Sequence, residues 1–237
     1  MTKVDLIILC GGLGKRISSK SKGLPKILIN IEKKTPFMMY LLKALKISSF
    51  RNIILSIGFR SDKIIEFIKK NKKLNLIYNK EKFPLGTGGG IKDTLKNKKI
   101  SDPFFVINGD TFFKFNINTL IKKNLDNVVK KSIILLKSNE KEKRYDQFKI
   151  LKNNKIEMNK KNKNKSLSYI NSGLYLFYKK DFRYKKKKFS LEKELIPLLI
   201  SKNRLDFYVN KSKVFFDIGV PKDLNRFQKY VKQNIKL

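Results

Sequence analysis

The sequence predicts a three-layer α/β/α sandwich around a mixed, mostly parallel sheet. Short, largely apolar runs, such as residues 4–10 and 104–108, suit strands buried on both faces. Between them lie longer segments whose apolar residues recur at helical spacing. No internal repeat and no long linker interrupts this alternation, so residues 1–237 are expected to form a single domain.

The first strands are expected at residues 4–10, 52–57, 74–78 and 104–108. Thr35-Pro36 reads as a hydroxyl N-cap with proline at the first helical position, opening a helix through Met39, Leu42, Ala44 and Leu45. A second helix from Ser61 carries Ile64, Ile65 and Ile68 on one face, and a third near Thr87 carries Ile91 and Leu95. After Asn116 the pattern changes. A helix at 117–125 and a strand at 132–136 precede a hairpin of 147–151 and 155–158, turning at Asn153-Asn154. A strand at 173–178 follows, and Ser190 caps a helix through Ile200. Residues 207–209 and 214–216 are short strands, and Pro221 opens the last helix. This Rossmann-like alternation puts the ligand at the carboxyl ends of the strands.

Composition narrows the chemistry. Hydrophobic residues make up 41%, including 18 Phe and 9 Tyr, enough for a sizeable core. No apolar stretch approaches the roughly 20 residues that span a bilayer, and residues 4–10 lack a signal peptide's length and cleavage site, so a cytoplasmic protein is expected. The single cysteine, Cys10, cannot form an internal disulfide and reads as a small buried side chain. Histidine is absent, which excludes His triads, imidazole bases and most zinc sites. Transfers of phosphoryl or nucleotidyl groups suit what remains, since they depend on positioning, metal ions and cations.

The net charge of +37, from 56 Lys and Arg against 19 Asp and Glu, would attract nucleic acid or an anionic membrane. Its distribution points elsewhere. Lysine and asparagine are spread along the chain, as in Lys69-Lys70-Asn71-Lys72-Lys73 and residues 160–165 and 185–188, without a nucleic-acid-binding motif. They read as solvated faces, so no specific nucleic acid and no membrane partner is expected. A noncatalytic polyanion-binding module is the alternative class.

The segment Leu9-Cys10-Gly11-Gly12-Leu13-Gly14-Lys15-Arg16, with Pro25-Lys26 beyond it, follows the first strand. Glycines leave backbone N–H groups open to phosphate oxygens, while Lys15, Arg16 and Lys26 add positive charge. The dinucleotide fingerprint fails, because Ile17 stands where the third glycine belongs, and no Gly-Lys-Ser/Thr step of a P-loop occurs. Asp110, just past an apolar strand in Asn108-Gly109-Asp110-Thr111, either ligates Mg²⁺ or caps a turn. In Leu85–Gly90, three consecutive glycines weaken a helix start by about 1 kcal/mol each relative to alanine, which predicts close approach to a ligand. A flexible turn into a helix is the plainer reading. Glu81 reads as a structural anchor or a solvent residue.

The first loop resembles the signature of the sugar-1-phosphate nucleotidylyltransferases: a strand, Gly-Gly-x-Gly-x-Arg, and Pro-Lys about ten residues on. Four further blocks follow in the family's order: Pro84-Leu85-Gly86-Thr87-Gly88-Gly89-Gly90, Asn108-Gly109-Asp110, Asn171-Ser172-Gly173-Leu174-Tyr175 and Asp217-Ile218-Gly219-Val220-Pro221. The resemblance implies Mg²⁺ on Asp110 and Asp217, and catalysis by Arg16, Lys26 and Asp110. It implies nucleotide contacts from Leu9, Gly11, Gly12, Gly14 and Lys15, and from Gly86, Thr87 and Gly88. Asn171 and Gly173 would contact the acceptor sugar. Asp217 otherwise pairs with a lysine, and Glu192 and Lys193 are either sugar-phosphate contacts or ordinary first-turn charges. The chain departs from many relatives where a Glu-Lys pair precedes Asn-x-Gly; it has Asn159-Lys160-Lys161-Asn162, and Glu157 substitutes only by a shift of register.

Within the family, the 84–89 block, the short length and Phe215-Phe216-Asp217-Ile218-Gly219 are most similar to the D-glycero-α-D-manno-heptose 1-phosphate guanylyltransferases. That similarity implies GTP and a heptose 1-phosphate as substrates, in the synthesis of surface-polysaccharide or lipopolysaccharide precursors. Uridylyl or guanylyl transfer to a hexose or amino-sugar 1-phosphate is the alternative.

Overall fold

A computed structural model describes residues 3–126, 129–139, 144–159 and 168–235. The first half contains β1 (Val4–Leu9), α1 (Ser18–Ser21), β2 (Asn30–Glu32), β3 (Thr35–Pro36), α2 (Phe37–Ala44), β4 (Phe50–Ile57), α3 (Ser61–Lys70), β5 (Leu76–Lys80), α4 (Gly86–Asn97), β6 (Phe104–Asn108) and β7 (Thr111–Phe113). Next come α5 (Asn118–Asp126), β8 (Ser132–Asn139), β9 (Gln147–Ile150), β10 (Ile156–Asn159) and β11 (Ser168–Phe177). One π-helical turn, Leu191–Leu195, leads into α6 (Ile196–Ser201), followed by β12 (Leu205–Asn210), β13 (Phe215–Asp217) and α7 (Pro221–Asn234).

Nine strands form one sheet in the order β10-β9-β11-β6-β1-β4-β5, with β8 beside β11 and β12 beside β8. β1 pairs in parallel with β4 and β6, β4 with β5, and β12 with β8. β11 is antiparallel to β6, β8 and β9, and β10 to β9. Only β10 and β11 therefore oppose the common direction, which is the mixed, mostly parallel sheet expected.

The three layers follow from the alternation of side chains along buried strands. Leu6 and Ile8 of β1 pack into one apolar cluster with Phe37 and Leu41 of α2 and Leu224 and Phe227 of α7. Ile7, between them, packs into the opposite cluster with Ile91 of α4 and Leu199 of α6. Leu6, Ile7 and Ile8 are all fully buried, so this stretch of β1 is apolar on both faces.

The start of α2 differs from expectation. Thr35 and Pro36 form β3 against β2, and the helix opens at Phe37, whose N–H donates to the Ile29 carbonyl at 2.9 Å. Pro36 is thus the extended N-cap residue, with no side-chain cap. β5 starts at Leu76, two residues late, because residues 72–74 make a 3₁₀ turn closed by Asn75 in the left-handed region. β11 starts five residues early at Ser168 and is interrupted at Gly173, where φ is 76° and the register against β8 shifts. Ser190 caps as expected, its hydroxyl accepting the Lys193 N–H at 3.2 Å. The lysine run 160–165 lies outside the described residues. Among the described residues no helix is long and apolar enough to cross a membrane.

Candidate active site

β1, β4, β5 and β6 end at one edge of the sheet, and the segments after β1, β5 and β6 wall a cavity of about 440 Å³. Leu9, Gly11, Gly12 and Arg16 come from the first loop, with Lys26 beyond it. Glu81, Pro84, Gly86 and Thr87 come from the loop between β5 and α4, Asn108 and Asp110 from the end of β6, and Glu192 from the π-helical turn. A roomier cavity of about 570 Å³ lies between the end of α2 and the β7–α5 loop, but it contains none of the sequence-predicted residues.

The acids are brought together by a small ribbon. β7 pairs antiparallel with β13, placing Thr111 opposite Asp217, and the Ile218 N–H donates to the Asp110 carbonyl at 2.9 Å. A Cβ built on Gly219 would lie 2.8 Å from Asp217 Oδ1, 3.4 Å from Asp110 Oδ2 and 3.6 Å from Arg16 Nη2. Two carboxylates and a guanidinium therefore face one small space that only glycine leaves open. Asp110 also accepts a hydrogen bond from the Lys26 ammonium. Asp217 accepts the Gly219 N–H at 2.9 Å. Burial, and then the negative charge of Asp110, raise the Asp217 carboxyl above the usual carboxylate range.

This donor set fits Mg²⁺. The ion prefers hard oxygen ligands and is commonly held by one or two carboxylates together with substrate phosphates. Asp217 ionises against both burial and a neighbouring carboxylate, the electrostatic situation that a divalent cation relieves. Among the described residues there is no cluster of three or more acidic or thiol side chains, so the pair would need oxygens from elsewhere to complete a coordination shell.

Glu192 is more than a first-turn charge. Its Oε2 accepts Thr87 Oγ1 at 2.6 Å and Ser190 Oγ at 3.1 Å, and Thr87 Oγ1 accepts the Leu191 N–H at 2.8 Å. These bonds tie the second loop to the π-helical turn and hold the carboxylate in the cavity wall. Lys193 is exposed on the same turn and does not line the cavity.

The glycine block has a different cause from the one expected. A Cβ on Gly88 would lie 2.2 Å from the Phe189 ring, and one on Gly89 would lie 2.6 Å from the Lys187 carbonyl. The N–H groups of Gly88 and Gly89 donate to the Phe189 carbonyl at 3.1 and 3.2 Å. The run lets α4 close against residues 187–189. Gly88 is buried there and does not reach the cavity, whereas Gly86 and Thr87 do.

On the acceptor side, Asn171 accepts the Gly173 N–H at 2.8 Å and donates to the Tyr175 hydroxyl, so both ends of its carboxamide are engaged within β11. Neither Asn171 nor Gly173 lines the cavity, but a Cβ on Gly173 would come 3.1 Å from Asn108 Cγ. Asn108 is the link, and its buried Oδ1 has no hydrogen-bond partner among the described residues. Gly14, at φ 64°, turns the first loop beside Lys26. The Lys15 side chain lies outside those described. Cys10 is buried, and burial followed by the charge of Asp110 pushes its thiol far up, consistent with a packing role.

Two wall residues were given no site role by the sequence, although the anchoring expected of Glu81 is present. Glu81 Oε2 accepts the Leu85 N–H at 3.2 Å, and Ser56 Oγ donates to Oε1 at 3.5 Å, so the side chain anchors its loop while facing the cavity. Burial raises its carboxyl above the usual range. Its position at the carboxyl end of β5, beside strand ends already assigned to the site, is the signal that could have found it. The same signal applied to Asn108 on β6.

Sheet order, two helical layers and a cavity at the carboxyl edge define a Rossmann-like α/β protein. The Nucleotidyl transferase family model matches residues 5–234, and the chain belongs to that family. It is 34% identical over 228 residues to the D-glycero-alpha-D-manno-heptose 1-phosphate guanylyltransferase of Campylobacter jejuni subsp. jejuni serotype O:2, covering 94% of this chain and 98% of that protein. It is 29% identical to the enzyme of the same name from Aneurinibacillus thermoaerophilus, covering 98% of this chain and 100% of that protein. The crystal structure of HddC from Yersinia pseudotuberculosis complexed with GMP-PN superposes with a TM-score of 0.79 at 31% identity, over 95% of this chain and 98% of that one.

Proposed function

We propose that the chain is a guanylyltransferase that joins GTP and a sugar 1-phosphate, with D-glycero-α-D-manno-heptose 1-phosphate as the lead acceptor, releasing pyrophosphate. The observation that carries this reading is the convergence of Asp110, Asp217 and Arg16 around Gly219, with Asp110 and Arg16 also lining the glycine-walled cavity. The heptose acceptor is inferred from the two relatives of that name, which match the chain over nearly its whole length. The cytoplasm, and supply of surface-polysaccharide or lipopolysaccharide precursors, are the setting this reading implies.

Glu81 supports guanine as the base. Guanine presents adjacent N1–H and N2–H donors on its pairing edge, and an ionised carboxylate is an acceptor with two oxygens. Adenine has an acceptor at N1 and would oppose it.

In the reaction, an oxygen of the sugar 1-phosphate attacks the α-phosphorus in line. The new P–O bond forms as the bond to the β-phosphate oxygen breaks, and pyrophosphate leaves with that electron pair. Arg16 neutralises charge growing on the leaving phosphates, its planar fork matching phosphate oxygens. Lys26, now bonded to Asp110, exchanges that carboxylate for the incoming phosphate and shares its charge. Glu192, fixed by Thr87 and Ser190, accepts a hydroxyl of the acceptor sugar. Mg²⁺ bound by Asp110 and Asp217 would supply Lewis-acid neutralisation of the phosphate oxygens.

The test is pyrophosphate release in Mg²⁺ buffer for GTP, UTP, CTP, ATP and dTTP against several sugar 1-phosphates, heptose included. Release with GTP and heptose 1-phosphate is expected. Release with another pair keeps the reaction and moves the substrate. Silence from folded protein, with Mg²⁺-independent RNA binding at physiological salt, would replace the enzyme by a polyanion-binding module.

A further inference from the structure

Folding removes large apolar side chains from water, so those left out are informative where they gather. Four are exposed among the described residues: Leu13 (53%), Tyr78 (38%), Phe83 (73%) and Val129 (65%). Tyr78 lies within β5, and Val129 lies between α5 and β8. The other two lie on loops that wall one cavity. Leu13 is itself part of the wall, on the first loop, whereas Phe83 does not line it but stands between the wall residues Glu81 and Pro84 on the loop after β5.

The backbone that carries Phe83 is held at both ends. The Glu81 N–H donates to the Ile57 carbonyl at 2.9 Å, and the Glu81 carboxylate accepts the Leu85 N–H. Pro84 restricts the residue before it to extended conformations. The ring is therefore presented from a fixed backbone and can move by side-chain rotation alone, without disturbing the fold.

We infer that Phe83 and Leu13 are an apolar clamp for the purine base, the Phe83 ring lying on the face of the guanine whose edge meets Glu81. The inference rests on the guanylyl reading above and deepens it. Edge and face then divide the selection. Glu81 separates guanine from adenine by hydrogen bonding, while stacking on Phe83 favours the larger purine ring over a pyrimidine.

The sequence contains no tryptophan, so Phe83→Trp places a single reporter at the clamp. Adding GTP without acceptor should quench its emission saturably, while Val129→Trp, at a comparably exposed site outside the cavity wall, should not respond. By calorimetry, Phe83→Ala should bind GTP about tenfold more weakly than the natural chain, within the range measured for loss of base stacking. If the natural chain binds GTP but Phe83→Trp stays unquenched and Phe83→Ala binds equally well, the clamp is refuted and the guanylyl reading stands. If UTP or CTP binds and GTP does not, the guanylyl reading falls and the purine clamp with it.

Discussion

Asp110 and Asp217, 107 positions apart in the numbering, are held beside one another by the β7–β13 ribbon, with the Ile218 N–H bonded to the Asp110 carbonyl. If the proposed reaction holds, Asp110→Asn and Asp217→Asn should each lower pyrophosphate release by on the order of 100-fold or more, since each removes a charged oxygen from the proposed reacting centre. Stability should move the other way for Asp217. Neutralising a buried carboxylate next to another acid removes desolvation and repulsion together, so its thermal midpoint in metal-free buffer should equal or exceed that of the natural chain. A marked drop in midpoint would reassign Asp217 to a structural role.

Gly88→Ala separates two explanations of the glycine block. Helix propensity alone would make the substitution stabilising by about 1 kcal/mol. Contact with the Phe189 ring, 2.2 Å from the new Cβ, makes it an overpacking change that costs about 1–3 kcal/mol. A denaturant midpoint shifted downward is the expected result, and an upward shift would restore the ligand-approach explanation.

That block shows where local reading stops. The runs that became β1, β4 and β6 were legible because strands buried on both faces are mostly apolar, and α3 because its apolar residues share one face. β2 and β7, three residues each, pair with partners close by and far off respectively, and their own residues carry no period. The meeting of Asp110 and Asp217 was legible from their motifs. Glu81 and Asn108 were not, because their roles come from strand ends assembled side by side, and Gly88 was misread because Phe189 lies about a hundred residues away.

At the opposite edge of the sheet, fully buried Asp5 accepts Arg51 Nε and Asn52 Nδ2, each at 2.9 Å, and the Ser101 N–H at 2.7 Å. Burial alone would raise its pKa, but the hydrogen bonds from Arg51, Ser101 and Asn52 outweigh it and hold the carboxyl below its usual range. A depressed folded-state pKa stabilises fully above the unfolded value, about 3.9, and that stability is lost as pH falls through the folded value. Asp5→Ala should therefore cost about 1–2 kcal/mol at pH 7, the size expected for lost hydrogen bonds to a charged group whose cationic partner Arg51 is itself half-exposed. In urea titrations the gap to the natural chain should narrow below about pH 4; a gap independent of pH would mean that the ionised carboxylate contributes nothing.

Glu81→Gln tests the base contact with little change of shape. Glutamine retains one acceptor for the Leu85 N–H but turns the other end of the side chain into a donor, which then opposes the N–H groups of guanine. The kcat/KM for GTP should fall about 10- to 100-fold, mostly through KM, the size expected when a buried polar contact is mismatched. The same carboxylate has its pKa raised, chiefly by burial, so its ionised form is lost as pH falls through a value above the ordinary glutamate range. GTP binding by the natural chain should weaken through that window, and Glu81→Gln should bind weakly without the pH dependence. If the variant keeps the natural KM and the natural pH profile, the base is read by backbone groups and Glu81 serves only to anchor its loop.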